Sequence, residues 1–256
     1  MHVSKSFRVR CLHSAFMKKQ LLYGELAKYY DLIYSAKDYE KEADRIKALV
    51  SKYKKPEGKE LLDVACGTGH HLEYLKNDFS CMGVDISNEI LEIAIRNVDE
   101  VFFRKADMTR LDLDKRFDVI TSLFSSIGYV KTHTNLRKTI QCFVRHLKAG
   151  GLVLIEPWFT KSTFIEGSPH MSTYDGRDVK IARLCVSKMR GNLSVQDMHY
   201  LVAERDKGVE HFVDRHEMGL FEIDKTLAVM NKAGFQTKFL ENGLNKDRGL
   251  FVGVKQ

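Results

Sequence analysis

The chain has 256 residues, of which 44% are hydrophobic, and its formal net charge is +7. This length suits one domain with a substantial core, and no apolar run approaches the roughly 18 residues that a membrane-spanning helix needs. Five basic residues and no acidic residue lie within residues 1–20, so the rest of the chain is nearly neutral. We therefore predict neither a nucleic acid nor a membrane as a partner.

Residues 1–20 mix Lys and Arg with apolar residues but lack the continuous apolar stretch of a signal peptide, and we predict a disordered extension. Residues 21–58 carry aromatic and aliphatic residues at helical spacing, first over 21–34 and then over 39–52. This pattern predicts a helical N-terminal lid.

Between residues 59 and 169, short apolar runs alternate with amphipathic helices. The predicted strands are 61–65, 80–84, 101–104, 117–122 and 152–156, and the predicted helices begin at His70, Asn88 and Thr134. The segment Lys148–Gly151 is predicted to be a turn. Such alternation is typical of a mainly parallel sheet with helices on both faces.

The pattern changes over residues 170–221, where long alternating segments are separated by turns at Gly191 and Gly208. These turns predict an antiparallel insertion of three or four strands. Residues 222–256 then supply a helix ending near Gly234 and two further strands. The predicted fold is α/β and Rossmann-like, with a mainly parallel seven-stranded sheet.

The most informative motif is the turn Asp63-Val64-Ala65-Cys66-Gly67-Thr68-Gly69 between the first strand and the helix that follows. Glycines at such a turn let the backbone approach a ligand closely. Asp85 ends the next strand, about where a βαβ unit places the acid that binds a ribose diol. The motif therefore predicts a site for an adenosine-containing cofactor.

Two features favour S-adenosylmethionine (SAM) over a dinucleotide. The turn lacks the third glycine of the GxGxxG fingerprint, since Leu72 stands at that position. Asp63 lies within reach of a ligand's amino end, and Asp107 follows the third strand, where its carboxylate can accept a hydrogen bond from the adenine amine.

The five cysteines are scattered and form no CxxC pair, which favours reduced thiols in a cytoplasmic protein: Cys11, Cys66, Cys81, Cys142 and Cys185. Adjacent His70 and His71 cannot both point at one ion from a helix, and we predict no metal site.

Together these motifs resemble class I SAM-dependent methyltransferases. The strings YYDLIYSAKDYEKEA, LLDVACGTGHHLEYL, FDVITSLFSSIGYV, GGLVLIEPWF and RGLFVGV are similar to the aminodeoxysugar N,N-dimethyltransferases of macrolide pathways, over about residues 23–254. In that family, dTDP-linked 3-amino sugars are methylated twice on nitrogen. The resemblance implies SAM as cofactor and a small amine, such as a nucleotide-linked aminosugar, as substrate, with a homodimer left open.

The expected cofactor site comprises the glycine turn, the acids that follow the strands and two tyrosines that the resemblance places over the ligand: Tyr30, Tyr34, Asp63, Ala65, Gly67, Gly69, Asp85, Ile86, Ala106, Asp107, Met108 and Leu123. The resemblance also implies that Glu156, Trp158 and Arg248 face the substrate. Tyr129, Glu156 and His199 are candidate catalytic proton acceptors. Family members carry a histidine where this chain has Tyr129.

Methyl transfer from a sulfonium is an in-line displacement, so an unprotonated amine needs no base during attack, and alignment and desolvation carry most of the acceleration. Two alternatives stay open. One is a methyltransferase of another small molecule, at oxygen or nitrogen, and the other is a SAM-binding protein without turnover. Nucleic-acid methylation is disfavoured because Ser122-Leu123-Phe124-Ser125 stands where an NPPY-like string would follow the fourth strand.

Overall fold

The computed structural model describes residues 20–244 and 248–256. The extension predicted for residues 1–20 lies outside the described residues except for Gln20, and so does Cys11. Within the described ranges, no helix is both long and apolar enough to cross a bilayer.

The N-terminal segment contains less regular helix than predicted. Residues 21–34 form two 3₁₀ turns, Leu21–Tyr23 and Ala27–Tyr29, followed by the single turn α1, Tyr30–Ile33; only α2, Tyr39–Tyr53, is a long helix. The expected continuous helix over 21–34 is wrong. The chain leaves helical geometry at Gly24, and its apolar side chains are buried in several directions against other elements rather than along one stripe.

The strands, in chain order, are β1 Glu60–Val64, β2 Ser80–Asp85, β3 Phe102–Lys105, β4 Phe117–Ser122, β5 Leu147–Ile155, β6 Pro169–Asp175, β7 Val179–Arg190, β8 Leu193–Glu204, β9 Gly208–Gly219, β10 Phe235–Leu240 and β11 Leu250–Lys255. The remaining helices are α3 His70–Leu75, α4 Asn88–Asn97, α5 His133–His146 and α6 Ile223–Lys232. Short 3₁₀ helices also occur at Met108–Arg110 and Ser126–Val130.

The main sheet has seven strands in the order β10-β11-β5-β4-β1-β2-β3. All neighbours pair in parallel except β11, which runs antiparallel to both β5 and β10. This confirms the predicted Rossmann-like sheet. The carboxyl ends of β1, β2, β4 and β5 share one edge, where open α/β sheets bind ligands.

The turn predicted at Lys148–Gly151 lies within β5, so that boundary is wrong. Phe117 pairs with Leu147, whereas Val119 pairs with Leu152, so the extra residues form a bulge. Gly150 adopts the positive φ of 72° that such a detour needs.

A second sheet of four antiparallel strands, β6-β7-β8-β9, confirms the predicted insertion. Its inner face contacts the N-terminal segment; for example, Tyr200 and Val202 belong to the same apolar cluster as Leu22 and Leu26. Its outer face, which includes Met171, is exposed to solvent. Because side chains alternate along a strand, each strand of this sheet contributes to both faces.

Candidate active site

The turn between β1 and α3 owes its shape to three residues with positive φ: Ala65 at 61°, Gly67 at 58° and Gly69 at 84°. A Cβ on Gly69 would lie 3.0 Å from a methyl of Val98, so the turn packs directly on α4 and its flank. The Gly67 N–H donates to the Asp85 carboxylate at 3.1 Å, which ties the turn to the end of β2.

Two hollows meet at Ala65. One is lined by Tyr30, Asp63, Gly67 and Leu123. The other has a volume of about 240 Å³, and its lining includes Ile86, Ala106, Asp107, Met108 and Tyr129. Together they form a continuous cleft along the carboxyl edge of the main sheet, and most of the predicted cofactor residues line it.

Gly69 and Asp85, which were also predicted, line neither hollow. Gly69 lies under the turn, and Asp85 accepts the N–H groups of Gly67 and Ser87 at 3.1 and 3.0 Å. Burial raises the pKa of Asp85, and these two hydrogen bonds oppose the rise. Both residues therefore hold the shape of the turn.

Asp63 is the most deeply buried carboxylate of the cleft, with 1% of its surface exposed. The Thr121 hydroxyl donates to it at 2.7 Å. Burial raises the pKa of Asp63 to about 7, and the nearby charge of Asp85 adds to the rise. No lysine, arginine or histidine within the described residues forms an ion pair with it, so its charge is available to a cationic ligand.

At the other end of the cleft, Asp107 accepts hydrogen bonds from the backbone and side chain of Thr109 at 2.9 and 2.8 Å. Burial opposes ionisation, but these bonds and the charge of Arg110 lower the pKa of Asp107. Ile86, at the rim of this hollow, is 64% exposed and offers an apolar surface to a flat ring.

The N-terminal segment covers the cleft. The Tyr30 hydroxyl lies 3.7 Å from where a Cβ on Gly67 would stand, which places it over the turn. Its ring packs on that of Tyr34, with centroids 4.8 Å apart. Tyr34 does not line the cofactor hollows; it faces a third cavity, where its hydroxyl accepts from Arg183 at 2.9 Å.

Sequence reasoning missed the contacts that fix this segment to α3. The Glu42 carboxylate on α2 is 2.7 Å from Nε2 of His71 and also contacts Lys37. Burial opposes ionisation of Glu42, but His71 and Lys37 outweigh it and lower its pKa to about 2. Asp31 similarly lies 3.0 Å from Nε2 of His70. The adjacent histidines therefore anchor the lid.

The third cavity, the acceptor cavity, has a volume of about 450 Å³ and lies between the lid, the ends of β4 and β5 and the inner face of the antiparallel sheet. Phe124 lines both this cavity and the hollow at Asp63, and Tyr129 lines both this cavity and the hollow at Asp107. The cavity and the cofactor cleft are therefore direct neighbours.

Two arginines line the acceptor cavity. Arg248 Nη1 donates to the Ser125 hydroxyl at 2.9 Å, and its guanidinium lies 4.9 Å from the centroid of the Trp158 ring. Arg183 faces the cavity from β7. Neither forms an ion pair with a carboxylate among the described residues, so both guanidinium groups can bind an anionic ligand. Trp158 and Arg248 thus meet there, as predicted, whereas Arg183 was missed.

Glu156 is buried behind this cavity and does not line it. Its Oε2 accepts the Phe124 N–H at 2.6 Å, where Phe124 and Ser125 both have positive φ, 50° and 62°. Burial raises the pKa of Glu156, and the charge of Arg248 opposes the rise. The geometry therefore gives Glu156 a positioning role for the strained turn after β4, in place of the predicted contact with the substrate.

His199 lies away from the acceptor cavity, and this placement does not support its predicted catalytic role. It pairs with Leu184 on one side and Val213 on the other, in a row on the outer face. Its exposed ring hydrogen-bonds only to His211, at 3.0 Å. Alternation along β8 turns Met198 and Tyr200 towards the cavity, and His199 away from it.

Two histidines do line the cavity, His170 on β6 and His216 on β9, and both were missed; His216 is the one that contacts Tyr129. Its Nδ1 is 2.7 Å from the Tyr129 hydroxyl, and that hydroxyl is 3.0 Å from the hydroxyl of Tyr23. Asp214, His216 and Met218 alternate along β9 and are all buried. Assigning these alternate positions to the inner face of β9 would have identified His216 as a residue of the cavity.

A methyltransferase domain model matches residues 61–151. The chain is 40% identical over 233 residues to the dTDP-3-amino-3,4,6-trideoxy-α-D-glucopyranose N,N-dimethyltransferase of Streptomyces venezuelae, covering 89% of this chain and 97% of that protein. The crystal structure of Streptomyces venezuelae DesVI superposes with a TM-score of 0.84 at 37% identity, covering 90% and 98% of the two chains.

The SAM-bound structure of CalS10, an amino pentose methyltransferase from Micromonospora echinaspora, superposes with a TM-score of 0.80 at 26% identity. The superposition covers 95% of this chain and 100% of CalS10. Sequence, fold and the cleft at the glycine turn agree, and the chain belongs to the family of SAM-dependent sugar N-methyltransferases.

Proposed function

We propose that this methyltransferase transfers methyl groups from SAM to the amino group of a nucleotide-linked aminosugar. The observation that carries the substrate is the acceptor cavity beside the cofactor cleft. It is lined by the half-buried Trp158 and by two arginines that form no ion pair with a described carboxylate, Arg183 and Arg248. A diphosphate supplies the matching negative charge, and a nucleobase supplies a flat ring for stacking. The substrates named for the relatives are of this kind.

The cleft suits SAM on the chemistry of its residues. The buried carboxylate of Asp63 would accept the ammonium of the amino-acid end, and Asp85 would hold the glycine turn in the shape that receives the ligand. Asp107 would accept the adenine amine, with Ile86 and Met108 on the two sides of the ring. Tyr30 would close over the turn. Bound SAM supplies an electrophilic methyl group whose transfer leaves a neutral thioether.

The residues of the chain would act by positioning. Arg248 and Arg183 would bind the diphosphate through charge-assisted hydrogen bonds, and Trp158 would pack against the base or sugar. Tyr129, which lines both the cofactor cleft and the acceptor cavity, would hold the amine in line with the methyl group. The lid, residues 21–58, and the insertion, residues 170–221, would exclude water. Alignment of this kind can supply roughly 7 to 11 kcal/mol of the barrier.

Product mass spectrometry tests the substrate. The enzyme, SAM and a panel of dTDP-aminosugars that differ in amine position are incubated, with the corresponding hydroxyl sugars as matched controls. Mass gains of one and two methyl groups on an aminosugar are expected. Methylation of a hydroxyl control, or of no nucleotide sugar while SAM is still bound, would instead indicate another acceptor.

We also propose a cytoplasmic homodimer. The described cysteines are unpaired thiols, which suits a reducing compartment. The outer face of the antiparallel sheet exposes Met171 and Val213, at 71% and 43%, with Leu184 between them at 40%, a surface that a second copy would cover. Sedimentation analysis tests this: Leu184→Lys should convert the dimer to monomer, and a monomeric parent protein would contradict it.

A further inference from the structure

A buried polar chain runs from the acceptor cavity into the antiparallel sheet. Tyr129, at the cavity, lies 2.7 Å from Nδ1 of His216, and Nε2 of His216 makes an ion-pair contact of 3.1 Å with Oδ2 of Asp214 without hydrogen-bond geometry. His216 and Asp214 are only 5% and 3% exposed, on the inner face of β9. One hydroxyl, one imidazole and one carboxylate are therefore arranged in series, with one end at the cavity.

The groups around His216 define its electrostatic environment. Asp214 faces it from its own strand, Tyr129 from the 3₁₀ helix after β4, and Tyr23 from the N-terminal segment, with ring centroids 6.1 Å apart. The Gln20 amide lies 3.3 Å from Nδ1. Arg183 on β7 and His170 on β6 also line the cavity, as does Arg248.

Asp214 is held as an anion. Burial opposes its ionisation, but His216 and the backbone N–H of Leu22, which donates at 2.9 Å, outweigh burial and lower its pKa. Its negative charge lies 3.1 Å from Nε2 of His216 and would stabilise a positive charge that develops on the imidazole. His216 can therefore accept a proton at Nδ1, the atom that faces Tyr129.

The amine substrate makes such an acceptor useful. Aliphatic amines are mostly protonated near neutral pH, and an ammonium has no lone pair to attack a methyl group. Burial raises the pKa of the Tyr129 hydroxyl well above its ordinary value. Tyr129 therefore stays protonated and cannot serve as the base by itself. It can still accept one proton while it donates another.

We propose that Tyr129, His216 and Asp214 form a proton relay that deprotonates the acceptor's ammonium before each methyl transfer. The inference rests on the proposed amine substrate. An N–H proton passes to the Tyr129 oxygen as the Tyr129 O–H proton passes to Nδ1 of His216, which leaves a neutral amine and an imidazolium beside Asp214. The amine lone pair then forms the N–CH₃ bond as the S–CH₃ bond breaks. The imidazolium proton returns to water on product release, and the secondary ammonium repeats the cycle.

The test compares pH profiles of kcat/KM for wild type and His216→Asn. The asparagine can still accept the Tyr129 hydrogen bond but cannot take up a proton. Below the pKa of the substrate amine, we expect kcat/KM of the wild type to stay nearly constant. Over the same range, kcat/KM of His216→Asn should fall tenfold for each unit by which the pH is lowered. The deficit should reach about 10²-fold at low pH and shrink as the pH approaches the amine's own pKa.

His199→Asn is the matched control, since it makes the same change on the neighbouring strand with the side chain on the outer face. Its profile should follow wild type. Tyr129→Phe should show the same pH-dependent deficit as His216→Asn, and the double variant should lose little more. Titration with S-adenosylhomocysteine reports whether each variant is folded and still binds the cofactor.

A second readout does not depend on turnover. In the complex with S-adenosylhomocysteine and the aminosugar, ¹⁵N-histidine spectra should show one histidine shifting to the imidazolium form, and the shift should be absent in His216→Asn. An equal loss of activity at every pH, or no shift of His216, would overturn the relay. If the wild type methylates no aminosugar, the proposed function fails instead.

Discussion

The cofactor cleft and the acceptor cavity are built in different ways. The cleft is formed by short loops at the carboxyl ends of parallel strands, and its main contacts, such as that of Gly67 with Asp85, link neighbouring strands of one βαβ unit. The acceptor cavity takes its walls from distant parts of the chain, such as Tyr34 and Arg183, 149 positions apart. One ligand site is local in sequence, and the other depends on how two sheets and a lid pack together.

This difference predicts how substitutions in each region act. Changes in the glycine turn should remove cofactor binding outright, because the turn's backbone conformation is the site. Changes in the acceptor cavity should leave cofactor affinity intact and alter KM for the acceptor substrate.

The largest effect is expected for Gly67→Val. A β-branched residue is strained at a φ of 58°, and its side chain would project towards the Tyr30 hydroxyl. Affinity for S-adenosylhomocysteine should fall by more than about 10²-fold in calorimetric titration. Gly208→Ala is the control, because Gly208 has a φ of 84° with nothing within 4 Å of its Cβ position. It should cost roughly 1 kcal/mol of stability without changing affinity. Equal affinity losses in both would contradict a local cofactor site.

Arg248→Ala should have the next largest effect. Loss of charge-assisted hydrogen bonds to a diphosphate costs about 1.5 to 3 kcal/mol, so KM for the nucleotide sugar should rise by about 10- to 100-fold. Affinity for S-adenosylhomocysteine should stay within about twofold of wild type. Arg248→Lys keeps the positive charge but lacks the planar guanidinium, so its KM should lie between those of the wild type and Arg248→Ala. An unchanged KM in Arg248→Ala would remove Arg248 from the substrate site.

Asp63 should make cofactor binding pH-dependent. Its pKa of about 7 means that a proton must leave before the carboxylate can pair with the ligand's ammonium. Affinity should therefore rise with pH, by up to tenfold per unit below about pH 7, and level off above it. Asp63→Asn should bind more weakly, with a flat profile over the same range. A wild-type profile that is flat, or that falls with rising pH, would contradict this role.

The smallest effect is expected for His199→Gln, because its ring is exposed on the outer face and its one hydrogen bond among the described residues is to His211. Steady-state kcat/KM should stay within about twofold of wild type. A large loss would mean that the outer face takes part in the reaction, and the contrast between the two faces of this sheet would no longer hold.

Sequence patterns predicted the main sheet well. The limits of β4 and the first residues of α3 and α4 match their predictions, and the glycine turn with its three acids identified the cofactor from local order alone. They succeeded because parallel strands place their carboxyl ends at one edge, so residues that follow those strands must converge.

Sequence patterns failed where contacts between residues distant in the chain determine the local structure. Residues 21–34 have helical spacing but form two 3₁₀ turns and one α-helical turn, because their apolar side chains pack on several elements. His199 and His216 both lie on strands of the antiparallel sheet. They differ in the face that their side chains occupy: His199 is on the outer face and His216 is on the inner face, which lines the cavity.

The sequence alone therefore determined the fold and the cofactor, since these depend on contacts between strands close in the chain. The tertiary structure decided which side chains face the acceptor. Tyr129, Arg183 and His216 come together only when the antiparallel sheet packs against the lid and the edge of the parallel sheet. No periodicity within a single strand specifies that packing, because a one-residue change in register reverses which face each side chain occupies.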